Sequence, residues 1–287
     1  LNGTAARFLG YLISEGRTTP SNQVWFVNAD PALIADFCRS TREAFGVEAK
    51  IFSYKQSAKD VIVFSQALCV ALERLYDFPR NSTSAQKRIP QQVMAASKEV
   101  AAEFLSALFE GDAYLSARGS MQYIEYATAS EQLARDLASL LLRFGVTALL
   151  RPKMKYASNT KARTKRLYHS VYVYGVENLK VLANVLRFVG AKQLALRRFQ
   201  ESDRKPNPNL DLIPDVTPMI RYLTKTSGLQ VKRLRSESPR LAAYAEGRCE
   251  ASRGGVVEVV ALARRYGTPT TETEAVCRHL EQLANSD

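Results

Sequence analysis

Two acidic residues, Glu15 and Asp112, end two short apolar segments that share one pattern of residue types. The small residues at the third and seventh places of these segments are Gly10 and Ser14, and Ala107 and Gly111. Small residues four apart lie on one helical face and let a second backbone come close. Helices packed through these faces would bring Glu15 and Asp112 together. Adjacent carboxylates repel each other unless a cation lies between them, and oxygen ligands suit a hard divalent ion.

The elements that would carry this pair recur along the chain. Glu15 and Asp112 are 97 residues apart, and the triplets 45–47 and 144–146, both Phe-Gly-Val, are 99 residues apart. Each triplet ends a helical pattern that follows a strand-like segment, and strands and a further helix come after it. The predicted strands are 24–27, 49–54 and 60–64 in the first repeat and 121–126, 148–156 and 168–174 in the second, with closing helices at 65–76 and 176–188. This pattern predicts an α+β fold in which an αββαββα unit occurs twice about a pseudo-two-fold axis, with two antiparallel sheets under a central helix pair.

Segments 8–16 and 105–113 resemble the two LAGLIDADG motifs of a monomeric homing endonuclease, and their surroundings resemble the endonuclease portion of an intein. Glu15 stands where Asp is commoner in the motif, and Ala113 replaces its terminal glycine. The resemblance implies site-specific hydrolysis of both strands of DNA with Mg²⁺, by a monomer with internal pseudo-symmetry. It also implies that Glu15 and Asp112 bind the metal together with the backbone carbonyls of Ser14 and Gly111.

Two lysines are candidates for the same site. Lys87 lies in Lys-Arg-Ile-Pro, which matches the basic block ahead of the family's second motif, and the resemblance implies that it neutralises charge near the attacked phosphate. Lys192, after the closing helix of the second repeat, is its counterpart. Either lysine could instead be an ordinary surface charge. Glu110 is expected to be a structural or solvated acid.

The charge of the chain indicates a polyanionic partner, which we take to be double-stranded DNA. The net charge is +12, and residues 1–205 contribute +11 of it. Arg151, Lys153 and Lys155 alternate, so on a strand they would share one face. The predicted DNA contacts of the two repeats are Arg17, Gln23, Trp25, Lys50, Lys55, Lys59, Arg118, Gln122, Arg151, Lys153, Lys155, Lys161, Arg163, Lys165 and Arg166.

A proline-rich stretch, 201–214, indicates a domain boundary. We therefore predict a first repeat with linker at 1–93, a second repeat at 94–203 and a helical domain at 204–287. Its helices are expected at 216–226, 239–246, 252–266 and 272–284, and residues 244–253 resemble the turn of a helix-turn-helix unit. The basic residues expected to bind DNA are Arg221, Lys225, Lys232, Arg233 and Arg235. The alternative is a scaffold that docks against other parts of an intein.

Several classes of protein are disfavoured. Four dispersed cysteines and two histidines form no zinc-ligand pattern and suit a reducing compartment. A signal peptide and an apolar run near 18 residues are both absent, so we expect an intracellular protein of the cytoplasm or nucleoid, with no membrane partner. Leu1 in place of Met suggests an excised fragment. The rival functions are a non-catalytic LAGLIDADG-type DNA-binding regulator and an RNA maturase.

Overall fold

The computed structural model describes residues 1–53, 58–118, 122–155, 165–203 and 212–286. The chain divides into two units, Leu1–Pro206 and Asn207–Asp287. Within the described ranges, none of the helices combines the length and the apolar character that crossing a membrane requires.

The first repeat begins with a helix whose end carries Glu15. Its elements are α1 (Gly3–Glu15), β1 (Gly16–Thr18), β2 (Gln23–Asn28), α2 (Pro31–Phe45), β3 (Ala49–Phe52), β4 (Lys59–Phe64) and α3 (Gln66–Leu75). The four strands form an antiparallel sheet in the order β1-β2-β4-β3. Asn2 and Asp30 cap the N-termini of α1 and α2, and Gly46 ends α2 in the left-handed conformation that glycine favours.

The second repeat has the same order of elements. A 3₁₀ turn (Ser84–Gln86) and α4 (Gln91–Met94) lead to α5 (Lys98–Asp112), β5 (Tyr114–Ser116), β6 (Tyr123–Thr128), α6 (Glu131–Leu142), β7 (Leu149–Lys155), β8 (Arg166–Tyr174), α7 (Val176–Val185) and α8 (Gln193–Gln200). The sheet order, β5-β6-β8-β7, repeats that of the first half. This confirms the predicted duplicated αββαββα fold, and α8 is an additional helix.

One hydrophobic core joins the two repeats. Helices α1 and α5 pack along each other at its centre, and the rings of Phe8 and Tyr11, on α1, pack against those of Phe26 and Phe37. Each sheet contributes alternate residues to this core, as buried Val24 and Phe26 do from β2. The opposite face of each sheet is therefore available for a partner.

The second unit has a separate core and is mainly helical. Its elements are β9 (Leu212–Ile213), α9 (Thr217–Ser227), α10 (Val231–Glu237), α11 (Pro239–Glu246), β10 (Ala251–Ser252), α12 (Arg253–Tyr266) and α13 (Thr271–Asn285). All four predicted helices are present, which confirms the helical C-terminal region, and α10 is additional. The connection between α11 and α12, residues 247–252, is longer than the usual turn of a helix-turn-helix unit. It contains β10, which pairs with β9.

Candidate active site

The small residues of α1 and α5 meet where the two helices cross. A Cβ added to Gly10 would lie 2.4 Å from the carbonyl oxygen of Phe104 and 2.8 Å from the Cβ of Ala107. A Cβ added to Gly111 would lie 2.2 Å from the Oγ of Ser14. These distances leave no room for larger side chains, so the predicted close approach of the helices is confirmed. Their C-terminal ends, which carry the two acids, consequently lie side by side.

Both acids have raised pKa values. Burial, with the nearby charge of Asp112, raises the pKa of Glu15 to about 7, against the opposing effect of Lys87 and Lys192. The pKa of Asp112 is raised to about 6, mainly because protein surrounds it, although its side chain still reaches solvent. Because these two carboxyl groups hold protons near neutral pH, a cation that binds between them would displace those protons and relieve the repulsion.

Lys87 and Lys192 each contact the end of one central helix. The Nζ of Lys87 donates to the carbonyl oxygens of Ile13, at 2.8 Å, and Gly16, at 2.9 Å, and lies 3.4 Å from that of Ser14. Burial lowers the pKa of Lys87 to about 8. Positive charge at a helix C-terminus also stabilises the helix dipole.

The contacts of Lys192 repeat this arrangement on α5. Its Nζ donates to the carbonyl oxygens of Phe109, Glu110 and Gly111 at 3.2, 2.8 and 3.1 Å. Burial lowers its pKa as well. The structure thus brings both predicted lysines to the two predicted acids, one lysine for each helix end.

The donor atoms at this point suit a hard divalent cation. No group of three or more His, Cys, Asp or Glu side chains able to hold a metal occurs in the described ranges, so a cation would depend on Glu15, Asp112 and backbone oxygens. The carbonyls of Ser14 and Gly111 supply such oxygens, and at present they accept hydrogen bonds from Lys87 and Lys192. Two carboxylates with carbonyl and water oxygens are a set that Mg²⁺ accepts.

Glu110 is a structural acid. The residue is 2% exposed, and its carboxylate accepts hydrogen bonds from the backbone N–H groups of Val189, at 2.8 Å, and Gly190. Arg7, on α1, lies 3.6 Å from it. Burial raises the pKa of Glu110, and the backbone donors and Arg7 oppose that rise.

Arg7 is the centre of a buried ion network that the sequence analysis missed. It is 5% exposed, contacts Asp36 of α2, and donates to Glu103 of α5 at 2.9 Å. Asp36 also accepts a hydrogen bond from Tyr11 at 2.6 Å and contacts Arg39. A single arginine in an otherwise apolar helix was the only signal available, since buried charges need partners.

The exposed face of the first sheet holds most of its predicted DNA contacts. Arg17 lies over the Trp25 ring, with 4.8 Å from its Cζ to the centroid, and Trp25 donates to Gln23 at 2.8 Å. Lys50 shares this face, because it pairs with Ile62, which pairs in turn with Trp25. Lys59 pairs with Asn28, out of register with Trp25, and is exposed at the start of β4.

The exposed face of the second sheet is basic and rich in tyrosine. Arg151 and Lys153 pair with Ser170 and Tyr168 across β7 and β8, which confirms that they share a face. Lys153 lies 3.8 Å from Glu125, which accepts from Ser170 at 2.8 Å. The tyrosines near these residues, which the sequence analysis did not single out, are Tyr114, Tyr123, Tyr172 and Tyr174.

Several predicted contacts lie elsewhere. Arg118 and Gln122 both lie in the connection between β5 and β6, because β6 begins at Tyr123. Gln122 accepts from Ser202 at 3.1 Å. Lys165 and Arg166 are exposed at the start of β8. The positions outside the described residues are Lys55, Lys161 and Arg163, together with the side chain of Lys155.

In the second unit, part of the basic run is used internally. Arg221 donates to the carbonyl oxygens of Ala245 and Glu246 at 2.7 and 2.6 Å, at the end of α11, and Arg235 contacts the Glu246 side chain. Lys225 and Lys232 are exposed, and so is Arg233, whose guanidinium lies over the Tyr266 ring. Arg233 also pairs with Glu237 at 3.2 Å, so three of the five predicted cations, Arg221, Arg233 and Arg235, have partners within this unit.

Comparison with known proteins gives a family match in the second repeat. Residues 99–187 match the family model described as "LAGLIDADG-like domain". The chain is 29% identical to the replication factor C small subunit of Methanocaldococcus jannaschii over 225 residues, 77% of this chain and 11% of that protein. It is 29% identical to the replicative DNA helicase DnaB of Rhodothermus marinus over 97% of this chain and 30% of that protein. The chain thus spans less than a third of these relatives.

Among solved structures, I-DmoI in complex with DNA and Ca matches with a TM-score of 0.46 and 12% identity, over 68% of this chain and 97% of I-DmoI. The full-length DUF199/WhiA protein from Thermatoga maritima matches with a TM-score of 0.45 and 11% identity, over 99% of this chain and 93% of that protein.

Proposed function

We propose that this chain is a LAGLIDADG protein and a site-specific endonuclease that cuts both strands of DNA with a divalent cation; the match of residues 99–187 to the LAGLIDADG-like domain supports this. The main support for the proposal is that the C-terminal ends of α1 and α5 lie side by side. Glu15 and Asp112 meet there, and a lysine contacts each helix end. A double-strand cut needs two phosphodiester hydrolyses, and the duplicated chain offers two matched sets of groups.

Glu15 and Asp112, with the carbonyls of Ser14 and Gly111, would hold the cation, for which Mg²⁺ is our proposal. When bound, such a cation polarises a phosphoryl oxygen and makes water a better nucleophile. The Nζ of Lys87, with a pKa of about 8, holds its proton at neutral pH and places positive charge beside the scissile phosphate. Lys192 has the same part at the other strand.

The exposed sheet faces would bind the duplex. Arg17 and Lys50 on the first sheet and Arg151 and Lys153 on the second put positive charge on faces that the core does not cover. Cations on a β surface neutralise phosphates, while neighbouring long or aromatic side chains read base edges in the major groove. Both halves are in one chain, so a monomer suffices.

The names of the relatives support an intein origin. A replication factor C small subunit, a probable translation initiation factor, an A-type ATP synthase subunit and a replicative DNA helicase have different names and functions. Each nevertheless shares one segment with this chain, and that segment is 11 to 30% of its length. A segment that recurs in unrelated proteins is expected of a mobile inserted element. The DNA target would then be the host gene without the insertion.

The test is cleavage of a plasmid that carries the uninterrupted host coding sequence, with and without Mg²⁺. We expect one double-strand break that needs the cation. Glu15→Gln and Asp112→Asn should each abolish cutting and leave DNA affinity within a few-fold, since neither acid attracts phosphate. Glu43→Gln, at an exposed position of α2, is the matched control and should cut like the wild type. Binding without cleavage would identify a DNA-binding regulator instead, and preference for structured RNA would identify a maturase.

A further inference from the structure

The segments that carry Lys87 and Lys192 are held by buried or half-buried residues outside the paired motifs. Each lysine side chain reaches a central helix, but its position also depends on where its backbone is fixed. The backbone contacts differ between the two lysines, so the two halves of the site are positioned separately.

The Lys87 segment, residues 87–90, is fixed by α6 of the second repeat. Ser130, 1% exposed, donates from its Oγ to the carbonyl oxygen of Lys87 at 2.6 Å. Asp136, further along α6, accepts from the backbone N–H of Ile89 at 3.1 Å. Lys87 therefore bridges the repeats, because its side chain contacts α1 and its backbone contacts α6.

The Lys192 segment, residues 189–192, is fixed by Glu110. Both carboxylate oxygens of Glu110 accept from the N–H of Val189, and one also accepts from Gly190. The first repeat closes this contact from the other side, since a Cβ on Gly190 would lie 2.5 Å from Leu33 and 2.6 Å from the Asp30 carboxylate. No part of this arrangement uses Ser130 or Asp136.

We propose that Asp136 and Glu110 are positioning residues, each for one active-site lysine, and that each thereby governs the cutting of one DNA strand. The inference rests on the proposed nuclease function. Asp136→Asn replaces an acceptor with an amide that can present a donor to Ile89. Glu110→Gln does the same to Val189 and Gly190, and it also removes a charge that neighbours Arg7.

The experiment measures each strand separately. A target duplex labelled at one 5′ end at a time gives the single-turnover rate constant for each strand. We expect Asp136→Asn to slow one strand at least ten-fold more than the other, and Glu110→Gln to show the opposite preference. Lys87→Met and Lys192→Met define which strand belongs to which lysine. Ser130→Ala should resemble Asp136→Asn, and Ser130→Thr, which keeps the hydroxyl, should restore the wild-type ratio.

The exposed acids Glu131, on α6, and Glu99, on α5, provide matched controls as Glu131→Gln and Glu99→Gln, which should leave the strand ratio unchanged. General loss of stability would slow both strands together, so equal slowing by Asp136→Asn and Glu110→Gln overturns the inference. A wild-type protein that cuts neither strand contradicts the proposed nuclease function instead.

A second measurement does not need cleavage. The rate at which an amine-acylating reagent modifies each lysine can be followed by peptide mass spectrometry. Asp136→Asn should raise the rate at Lys87 several-fold and leave Lys192 unchanged, whereas Glu110→Gln should do the reverse. Unchanged rates at both lysines in folded variants would show that these acids do not position them.

Discussion

Ser14 packs directly against Gly111 at the crossing of α1 and α5. A Cβ on Gly111 would lie 2.2 Å from the Ser14 Oγ and 2.7 Å from its Cβ. Gly111 lies inside the regular helix α5, so its backbone conformation does not require glycine. Glycine is required there because α1 comes so close. The same contact fixes the separation of the two acids that follow Ser14 and Gly111 in the chain.

Gly111→Ala should therefore destabilise the first unit. The added methyl must push the helices apart, and overpacking of this kind costs roughly 1–3 kcal/mol, more than the better helix propensity of alanine returns. Urea unfolding measures the loss. Ser14→Gly in the same protein should recover much of it by vacating the space.

Gly3→Ala is the control for this pair, because it also places a methyl on a central helix. Its Cβ would meet only the Glu103 side chain, at 3.3 Å. The free energy of unfolding should change by less than about 0.5 kcal/mol. If Gly111→Ala were as mild as Gly3→Ala, the close crossing would not limit the helix spacing.

Stability without metal should fall as pH rises through the range where Glu15 titrates. Its pKa is about 7 in the folded protein against an ordinary 4.5, so the folded state keeps a proton that the unfolded chain has lost. Below pH 4.5 both states are protonated and the group contributes nothing. Between pH 4.5 and 7 its unfavourable contribution grows, and above pH 7 it is complete.

Glu15→Gln consequently should stabilise the metal-free protein at pH 8, by roughly 1–3 kcal/mol, and have little effect at pH 4.5. Urea unfolding at the two pH values, with a chelator present, measures this. Equal effects of the substitution at both pH values would mean that Glu15 ionises normally in the folded state.

The basic face of β7 should set part of the salt dependence of DNA binding. Arg151→Gln with Lys153→Gln should reduce the slope of log affinity against log salt concentration by roughly 0.9 for each phosphate that is no longer neutralised. Arg42→Gln with Arg135→Gln removes the same charge from exposed positions on α2 and α6. If both pairs reduced the slope equally, bulk charge rather than this strand would account for it.

The second unit should lengthen the DNA contact rather than cut. A chain that ends at Pro206 keeps Glu15, Asp112 and both lysines, so we expect cleavage at the same phosphates with weaker binding and a shorter footprint. The 287-residue chain with Lys225→Gln and Lys232→Gln should bind more weakly as well. A footprint of unchanged length for the truncated chain would indicate that this unit docks against protein.

Much of the fold was visible in the sequence because two signals repeat. The spacing of Glu15 and Asp112, together with the Phe-Gly-Val triplets, revealed the duplication, and strand alternation located most of the two sheets. Strands β1 and β5 were not located, since three residues carry no readable alternation. Helix α10, with seven residues between Gln230 and Ser238, is similarly short.

The residues of the candidate site could be predicted from the sequence, but the contacts that position them could not. Lys87 and Lys192 were singled out, whereas their hydrogen bonds to helix-end carbonyls depend on tertiary placement. Arg221 appeared in a basic run that suited DNA, yet the unsatisfied carbonyls of α11 engage it. The sequence shows where positive charges are concentrated. The structure shows which of them have partners within the protein and which are left to contact DNA.

The contacts of the buried Arg7 make the pairing of the two repeats asymmetric. At the 97-residue offset that relates the motifs, its two partners on α5, Glu103 and Glu110, correspond to Ala6 and Ile13 of α1, and Arg7 itself corresponds to Phe104. A pair of first halves would bury two arginines, each with its own Asp36 but without Glu103 and Glu110, and a pair of second halves would have these two acids without an arginine. The charges of each half are therefore better matched to the other half than to a second copy of itself. Expressed as separate chains, the halves should assemble with each other and not with themselves.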